Sequence, residues 1–468
     1  MNKFWTNETG SYKIDPESLH EFLNERGFYT FKPKSNKSTI LVKTIDKQVR
    51  QVTAKEIREL CWRYIESEFH FQDDDERKQV KTEFQKNKSY FSKDNIELLP
   101  ELKLNEIKDT KEKSYIFFRN CIFEITAESI VKKSYDEVEG HAFETDIIFY
   151  DFKADIDKEY NPKGEFFEFV KDICKNPNKK TQDQNFESMI TIIGYLIHRY
   201  KHPANAKAIV FMDSYKNDNP NGGTGKGLLT KAFRYIREAT FQDGKFYTSS
   251  NRFGLSQVEY GTRVLVFDDV PKTFDFEKIF PLITEEAVIE RKYENKFTIP
   301  FEQSPKVLIT TNYTVEGSGE SHKRRKVEFI FSDTFNADYS PEDKFGHLLF
   351  IGWDSKEWDN FYLFISHCLQ MYLLEGIVQP KFNVLERKLK IEATPEFIEF
   401  IDNHESIFGD KYNKNIVYEE FYDKHPNHYK VEKTTFRNWL KLWADANGSG
   451  FHESHSDDDL FFEFTYYQ

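Results

Sequence analysis

Cysteine is scarce: four in 468 residues, Cys61, Cys121, Cys174 and Cys368, with no CxxC spacing among them. That excludes a disulfide scaffold and a cysteine zinc site, and suits a reducing cytoplasm. No apolar run reaches the roughly 18–20 residues of a membrane helix. The nearest, 189–197 and 361–374, are short and broken by polar groups. The opening MNKFWTNETG lacks the apolar core of a signal peptide. Positive charge is in deficit, with 66 Lys and Arg against 79 Asp and Glu, a net charge of −13. A basic coat is therefore excluded. Any nucleic-acid contact needs a local patch or a channel that concentrates positive charge. Internal repeats and long low-complexity segments are absent too.

Aromatic mass is abundant. The 46 Phe and 25 Tyr supply much of the core that aliphatic residues supply elsewhere. At roughly 150 residues per domain, the length favours about three domains. Residues 15–70 read as a small α+β unit. Asp15-Pro16 caps a helix, Gly27 stops it, and Thr53–Glu56 forms a capping box for another. Residues 114–125 read as strand, turn and strand. A polar, basic stretch at 170–184 marks a boundary, and a helix is expected from 186. From 206 to 336, apolar runs alternate with helical stretches, the pattern of a mostly parallel sheet. The expected units are an accessory domain at 1–105, an associated region at 106–185, an α/β core at 186–385 and a final domain at 390–468.

The chemistry concentrates in the core. The apolar run 208–212 leads to Asn219-Pro220-Asn221-Gly222-Gly223-Thr224-Gly225-Lys226-Gly227, and a helix with Leu228 on its first turn follows. Strand, Gly-rich turn, Gly-Lys and helix form the context of a P-loop. Glycines let backbone N–H groups converge on phosphate, and Lys226 would neutralise the β- and γ-phosphates. The residues expected to hold nucleotide are Asn221, Gly222, Gly223, Thr224, Gly225, Lys226, Gly227 and Leu228. Two positions depart from G-x-x-x-x-G-K-S/T: Pro220 replaces the first Gly, and Gly227 replaces the hydroxyl that ligates Mg²⁺. Thr224 and Thr230 lie nearby, and water could fill the ligand position.

A second apolar strand ends in Asp268-Asp269. Asp268 would hold Mg²⁺ and Asp269 would polarise the attacking water. A third, 304–312, ends in Thr310-Thr311-Asn312, where the Asn312 amide could orient water against a γ-phosphate. Between them, 288–299 reads as a hairpin with Arg291, Lys292 and Lys296 near its tip, suited to a nucleic-acid backbone. Lys323-Arg324-Arg325-Lys326 repel one another unless something anionic faces them. An arginine finger reaching a neighbouring subunit's nucleotide would explain Arg324 and Arg325.

The order GGTGKG, LVFDD, ERKYENK, LITTN, KRRKVEF resembles the superfamily 3 helicases, within them the phage and plasmid primase–helicase group. The resemblance covers roughly residues 186–380. It implies an AAA+-like α/β core that forms a ring, usually a hexamer, hydrolyses ATP with Mg²⁺, and moves along single-stranded DNA. It also implies a phage or mobile-element origin, a cytoplasmic location and a separate primase as a partner. By match, Lys226 is the P-loop lysine, Asp268 and Asp269 the acidic motif, Asn312 the sensor, and Arg324 or Arg325 the finger.

Residues 394–468 read as a winged helix. Lys433, Arg437 and Lys441 recur on one face of a helix at 434–446, as a recognition helix requires. The N-terminal acids Asp73–Asp75, Asp151, Asp155 and Asp157 do not make a polymerase site, so that region reads as an accessory or oligomerisation domain. Three functions compete: a replicative DNA helicase, an ATPase that loads or remodels DNA without processive unwinding, and a scaffold ring that has lost hydrolysis.

Overall fold

A computed structural model describes residues 3–466 except 9, 33–38, 87, 97, 157–160, 214–222, 246, 248–253, 260, 293–295, 314, 316–319, 382–388, 390–391, 405–410, 448 and 457–458. It is a mixed α/β structure built around an all-parallel sheet. The five strands are β1 (Ala208–Asp213), β2 (Ala239–Asp243), β3 (Val264–Val270), β4 (Lys306–Thr311) and β5 (Lys326–Phe331). Their order is β2-β3-β4-β1-β5. Every residue of β1 and β4 is buried, as expected of central parallel strands covered on both faces.

Alternation along each strand divides the core in two. Ile209, Phe211, Val264, Val266, Leu308 and Phe329 point to one face, with the helices Glu165–Ile173, Lys179–Ile197 and Ser355–Glu375. Val210, Met212, Leu265, Phe267, Val307 and Ile309 point to the other, where 274–289 and 297–301 cover them. The two long helices touch closely at Gly194, where a Cβ would lie 2.1 Å from the carbonyl oxygen of Cys368. The first of them starts at Lys179, seven residues ahead of the sequence expectation, because Asn178 caps it by accepting from the Thr181 N–H. The 170–184 stretch is thus largely helical, and Val170, Ile173 and Cys174 share a core with Met189 and Ile192.

The N-terminal part forms a four-stranded sheet of Phe28–Phe31, Ile40–Ile45, Gln48–Gln51 and Ala142–Phe143. Its last strand comes from beyond residue 105, so the two N-terminal segments share a sheet. Asp15 and Thr53 cap their helices as the sequence suggests. The 114–125 hairpin forms as Lys113–Phe118 and Ile122–Thr126. The C-terminal part packs the helices Pro395–Asp402, Lys414–Lys424 and Lys433–Ala446 with an antiparallel sheet of Tyr412–Asn413, Ser449–Ser456 and Asp459–Tyr466. Phe397, Phe421, Phe436, Leu440 and Phe464 form its core.

A buried charge cluster joins residues 106–150 to the amino-terminal edge of the parallel sheet. Arg199 pairs with Asp109 at 3.2 Å and Asp146 at 2.9 Å, and Arg263 reaches Asp146 at 3.4 Å. Arg237 donates to the carbonyls of Tyr115 and Ile197. Burial alone would raise the Asp109 carboxyl, but Arg199, His198 and Arg237 more than reverse this and hold it well below the usual range. Lys306, at the start of β4, donates to the carbonyls of Tyr195 and His198, and burial pushes its amine far down. Among the described residues, no helix is long and apolar enough to cross a membrane.

Candidate functional site

The site lies where β1, β3 and β4 end, on the carboxyl side of the sheet, the side on which parallel α/β sheets leave a crevice. Gly225 precedes the helix Lys226–Ala232 with φ of 96°. A side chain there would meet the Phe169 ring at 2.8 Å, so both backbone and packing demand glycine. This turn delivers Lys226 between two strand ends. Its amine donates to Asn312 Oδ1 at 2.9 Å, just past β4, and pairs with the carboxylate of Asp213 at the end of β1. The Thr224 hydroxyl donates to the other oxygen of Asp213.

The two acids on β3 are separated by a bulge. The β3–β4 register slips between Phe267 and Val270, and Asp269 takes a φ of 53°. A bulge re-aims neighbouring side chains. Here Asp268 is exposed and Asp269 half-buried. Thr310 braces both: its hydroxyl donates to Asp268 Oδ1 at 2.6 Å and accepts from the Asp269 N–H at 2.8 Å. Lys245, two residues beyond β2, pairs with Asp269 at 2.5 Å, and that contact raises the lysine pKa.

These groups share one open cleft of about 540 Å³. Gly223 to Leu228 form one wall, Asp268, Asp269, Thr310 and Asn312 the floor, and Asn336, Ser340 and Leu348 the far wall. Seven sequence-selected residues with placed side chains or backbone, Gly223, Thr224, Gly225, Lys226, Gly227, Leu228 and Asn312, meet here beside Asp268 and Asp269. Asn221 and Gly222 lie outside the described residues. Thr230 does not stand in for the hydroxyl missing at 227, because it is buried and donates to the Gly227 carbonyl. Nothing lies within 4 Å of a Cβ built at Gly227.

Sequence reasoning missed Asp213, Thr310 and Lys245. Asp213 had a usable signal: like Asp268, it is an acid closing an apolar strand, and that strand leads to the Gly-rich segment. Thr310 and Lys245 carried none, since their roles come from the β3–β4 register and from the β2 turn.

The basic candidates fall elsewhere. The hairpin Ala287–Ile289 with Phe297–Ile299 forms, though 293–295 lie outside the described residues. Lys292 and Lys296 are exposed. Arg291 instead turns back, donating to the carbonyls of Ser256 and Val258 at 3.0 Å and pairing with Glu259 at 2.7 Å. Arg324 and Arg325 end the helix Glu320–Arg325 before β5. Arg324 is exposed, whereas Arg325 bonds Ser321 and stacks 4.6 Å over the Phe280 ring. Lys326 pairs with Ala208 while Phe331 pairs with Asp213. The two arginines therefore sit at the opposite end of the sheet from the cleft, roughly 16 Å away at about 3.3 Å per residue. On the C-terminal helix, Lys441 is exposed, Lys433 donates to Asn415, and Arg437 is held by Glu453 in a hairpin strand. Among the described residues, no three or more His, Cys, Asp or Glu are grouped to hold a metal.

A family of unknown function, DUF5906, matches residues 219–325, from the Gly-rich segment to Arg325. No curated protein matches the chain. Solved structures align with it, among them two of one protein's C-terminal region. One, the A form apo structure of the NrS-1 C terminal region (CTR), is 12% identical, with a TM-score of 0.39 over 96% of this chain and 98% of that one. The other, described as the A form apo structure of NrS-1 CTR(305-718), is 14% identical, with a TM-score of 0.36 over the same shares.

Proposed function

We propose that the protein is an ATP-hydrolysing motor on single-stranded DNA, with a P-loop core of AAA+ type, working as a ring in phage or mobile-element replication. One observation carries the reading: Lys226, Asp268, Asp269 and Asn312, from three separate segments, line a single cleft at the carboxyl ends of a parallel sheet. Two strand ends that supply carboxylates and an amide, and a glycine turn that delivers an amine between them, match the requirements of phosphoryl transfer, which are positioning and charge compensation.

Mg²⁺ fits this donor set. The metal keeps several waters and takes one or two carboxylates, and the exposed Asp268 braced by Thr310 can serve as one. When bound, the ion neutralises phosphate charge. Asp269 then accepts a proton from the attacking water, after Lys245 releases it. Asn312 orients that water. Lys226 neutralises the phosphates. Arg324, exposed and far from its own cleft, suits a neighbouring subunit's site; hence the ring. Lys292 and Lys296 on the hairpin face the DNA strand. The C-terminal unit, three helices with a hairpin, suits a winged helix that contacts nucleic acid through Lys433 and Lys441. Arg437 contributes less, because Glu453 neutralises it.

The test is ATP hydrolysis with and without single-stranded DNA, beside Lys226→Ala. DNA-stimulated turnover should fall on the order of 100-fold or more, the scale of losing one preorganised electrostatic contact. No turnover from assembled, DNA-bound wild-type protein would remove the motor and leave a scaffold.

A further inference from the structure

We propose that Asp213 is a positioning residue that holds Lys226 in a closed acid–amine pair and so controls how readily the cleft takes a polyphosphate. The inference rests on the reading of the cleft as a nucleotide site.

Asp213 is 3% exposed and closes a strand whose every residue is buried. The sheet therefore fixes its carboxylate in place. One oxygen takes the Thr224 hydroxyl, and the other faces the Lys226 amine. Thr224 and Lys226 line the cleft; Asp213 lies behind them and does not. The pair thus draws the lysine charge back toward the sheet, while Asn312 holds the amine from the cleft side.

An incoming polyphosphate needs that same charge. It meets a competitor that is anionic, preplaced and poorly hydrated, and attraction between such charges is strong where water is excluded. Releasing Lys226 takes the cation away from a buried carboxylate, and a hydrogen bond such as that from the Thr224 hydroxyl is a poor exchange for a charge. Ligand binding bears that cost. The acid acts against the ligand through the lysine, and its removal should favour binding.

Asp213→Asn keeps the shape and can still accept from Thr224. Asp213→Ser serves as a second uncharged variant should the first not fold, with thermal unfolding as the check. Two readouts follow. The first is amine acetylation of Lys226, followed by mass spectrometry in nucleotide-free protein, with the exposed Lys441 as internal reference. An amine paired with a carboxylate is a poor nucleophile, so labelling should rise about 10-fold in the uncharged variant. The second is the affinity for ADP and a non-hydrolysable ATP analogue, expected about 10-fold tighter in the variant, with no gain when Lys226→Ala is also present, since interacting sites are not additive.

Unchanged labelling alongside normal nucleotide binding overturns the inference and leaves the nucleotide site standing. Faster labelling with weaker nucleotide binding also overturns it, and makes Asp213 a helper of the ligand. Faster labelling when neither protein binds nucleotide overturns the nucleotide site and, with it, the role in ligand entry.

Discussion

Lys226 and Asn312 are joined by a 2.9 Å hydrogen bond that spans from the Gly-rich turn to the end of β4, 86 residues on. The amine that would meet phosphate is thereby tied to the group that would orient water. Charge loss at the phosphates should be felt at Asn312 without any intervening rearrangement of the sheet. Asn312→Ala should then lower kcat on the order of 100-fold, with KM for ATP changed only a few-fold. Steady-state ATPase assays separate the two. A mere turn residue would alter thermal stability and leave kcat alone.

Gly227 stands in open space. Gly227→Ser should fit without repacking and favour the helix by about 0.5 kcal/mol. The new hydroxyl should also lower the Mg²⁺ concentration needed for half-maximal hydrolysis. A Mg²⁺ titration of turnover, run beside thermal unfolding, checks both halves.

The two arginines before β5 should part ways. Arg324→Ala should reduce hydrolysis in the assembled protein on the order of 1000-fold, the scale of losing an arginine finger, yet spare nucleotide binding. Arg325→Ala removes a contact with the Phe280 ring and with Ser321, so its effect should appear as a lower Tm. Mixing Arg324→Ala subunits with Lys226→Ala subunits should restore some activity, as complementary halves of a shared site do.

Acid should loosen the core at a defined pH. Burial, together with nearby Lys306, pulls His198 down to about 4, against the opposite pull of Asp109. Its Nε2 donates to the Thr110 carbonyl, a contact that favours the charged ring but does not offset burial, so the ring stays neutral above that pH. Between pH 6.5 and 4, the unfolded chain takes up a proton that the folded chain refuses. Stability is therefore full above 6.5 and declines as pH falls toward 4, by up to roughly 3 kcal/mol. Thermal unfolding from pH 8 to 4 should show this slope, and His198→Gln should flatten it.

Much of the site was legible because three apolar strands lead into distinctive residues: Asp268-Asp269, Asn312 and the Gly-rich run. Burial on both faces makes such strands nearly uninterrupted in sequence, and function collects at their ends. The charged interior was not legible. Nothing local in the sequence marks Lys306, Arg199 or Arg263 as interior, since a lysine that caps carbonyls inside a core has the same neighbours in sequence as one in solvent. Arg291 misleads in the same way: its place near a hairpin tip suggests DNA, but Glu259 and two carbonyls from a loop 33–35 residues earlier claim it. The sheet shared across residue 105 escaped notice because Ala142–Phe143 is a two-residue strand.

The charge cluster around Arg199 dictates where this chain can be cut. Asp109 and Asp146 neutralise arginines that belong to the parallel-sheet half. A fragment starting near residue 178 would keep Arg199, Arg237 and Arg263 and lose both acids. An unpaired buried charge costs about 3–5 kcal/mol, a large part of a typical domain's margin. The smallest fragment that stays soluble should begin before Asp109, however far from the cleft that seam lies.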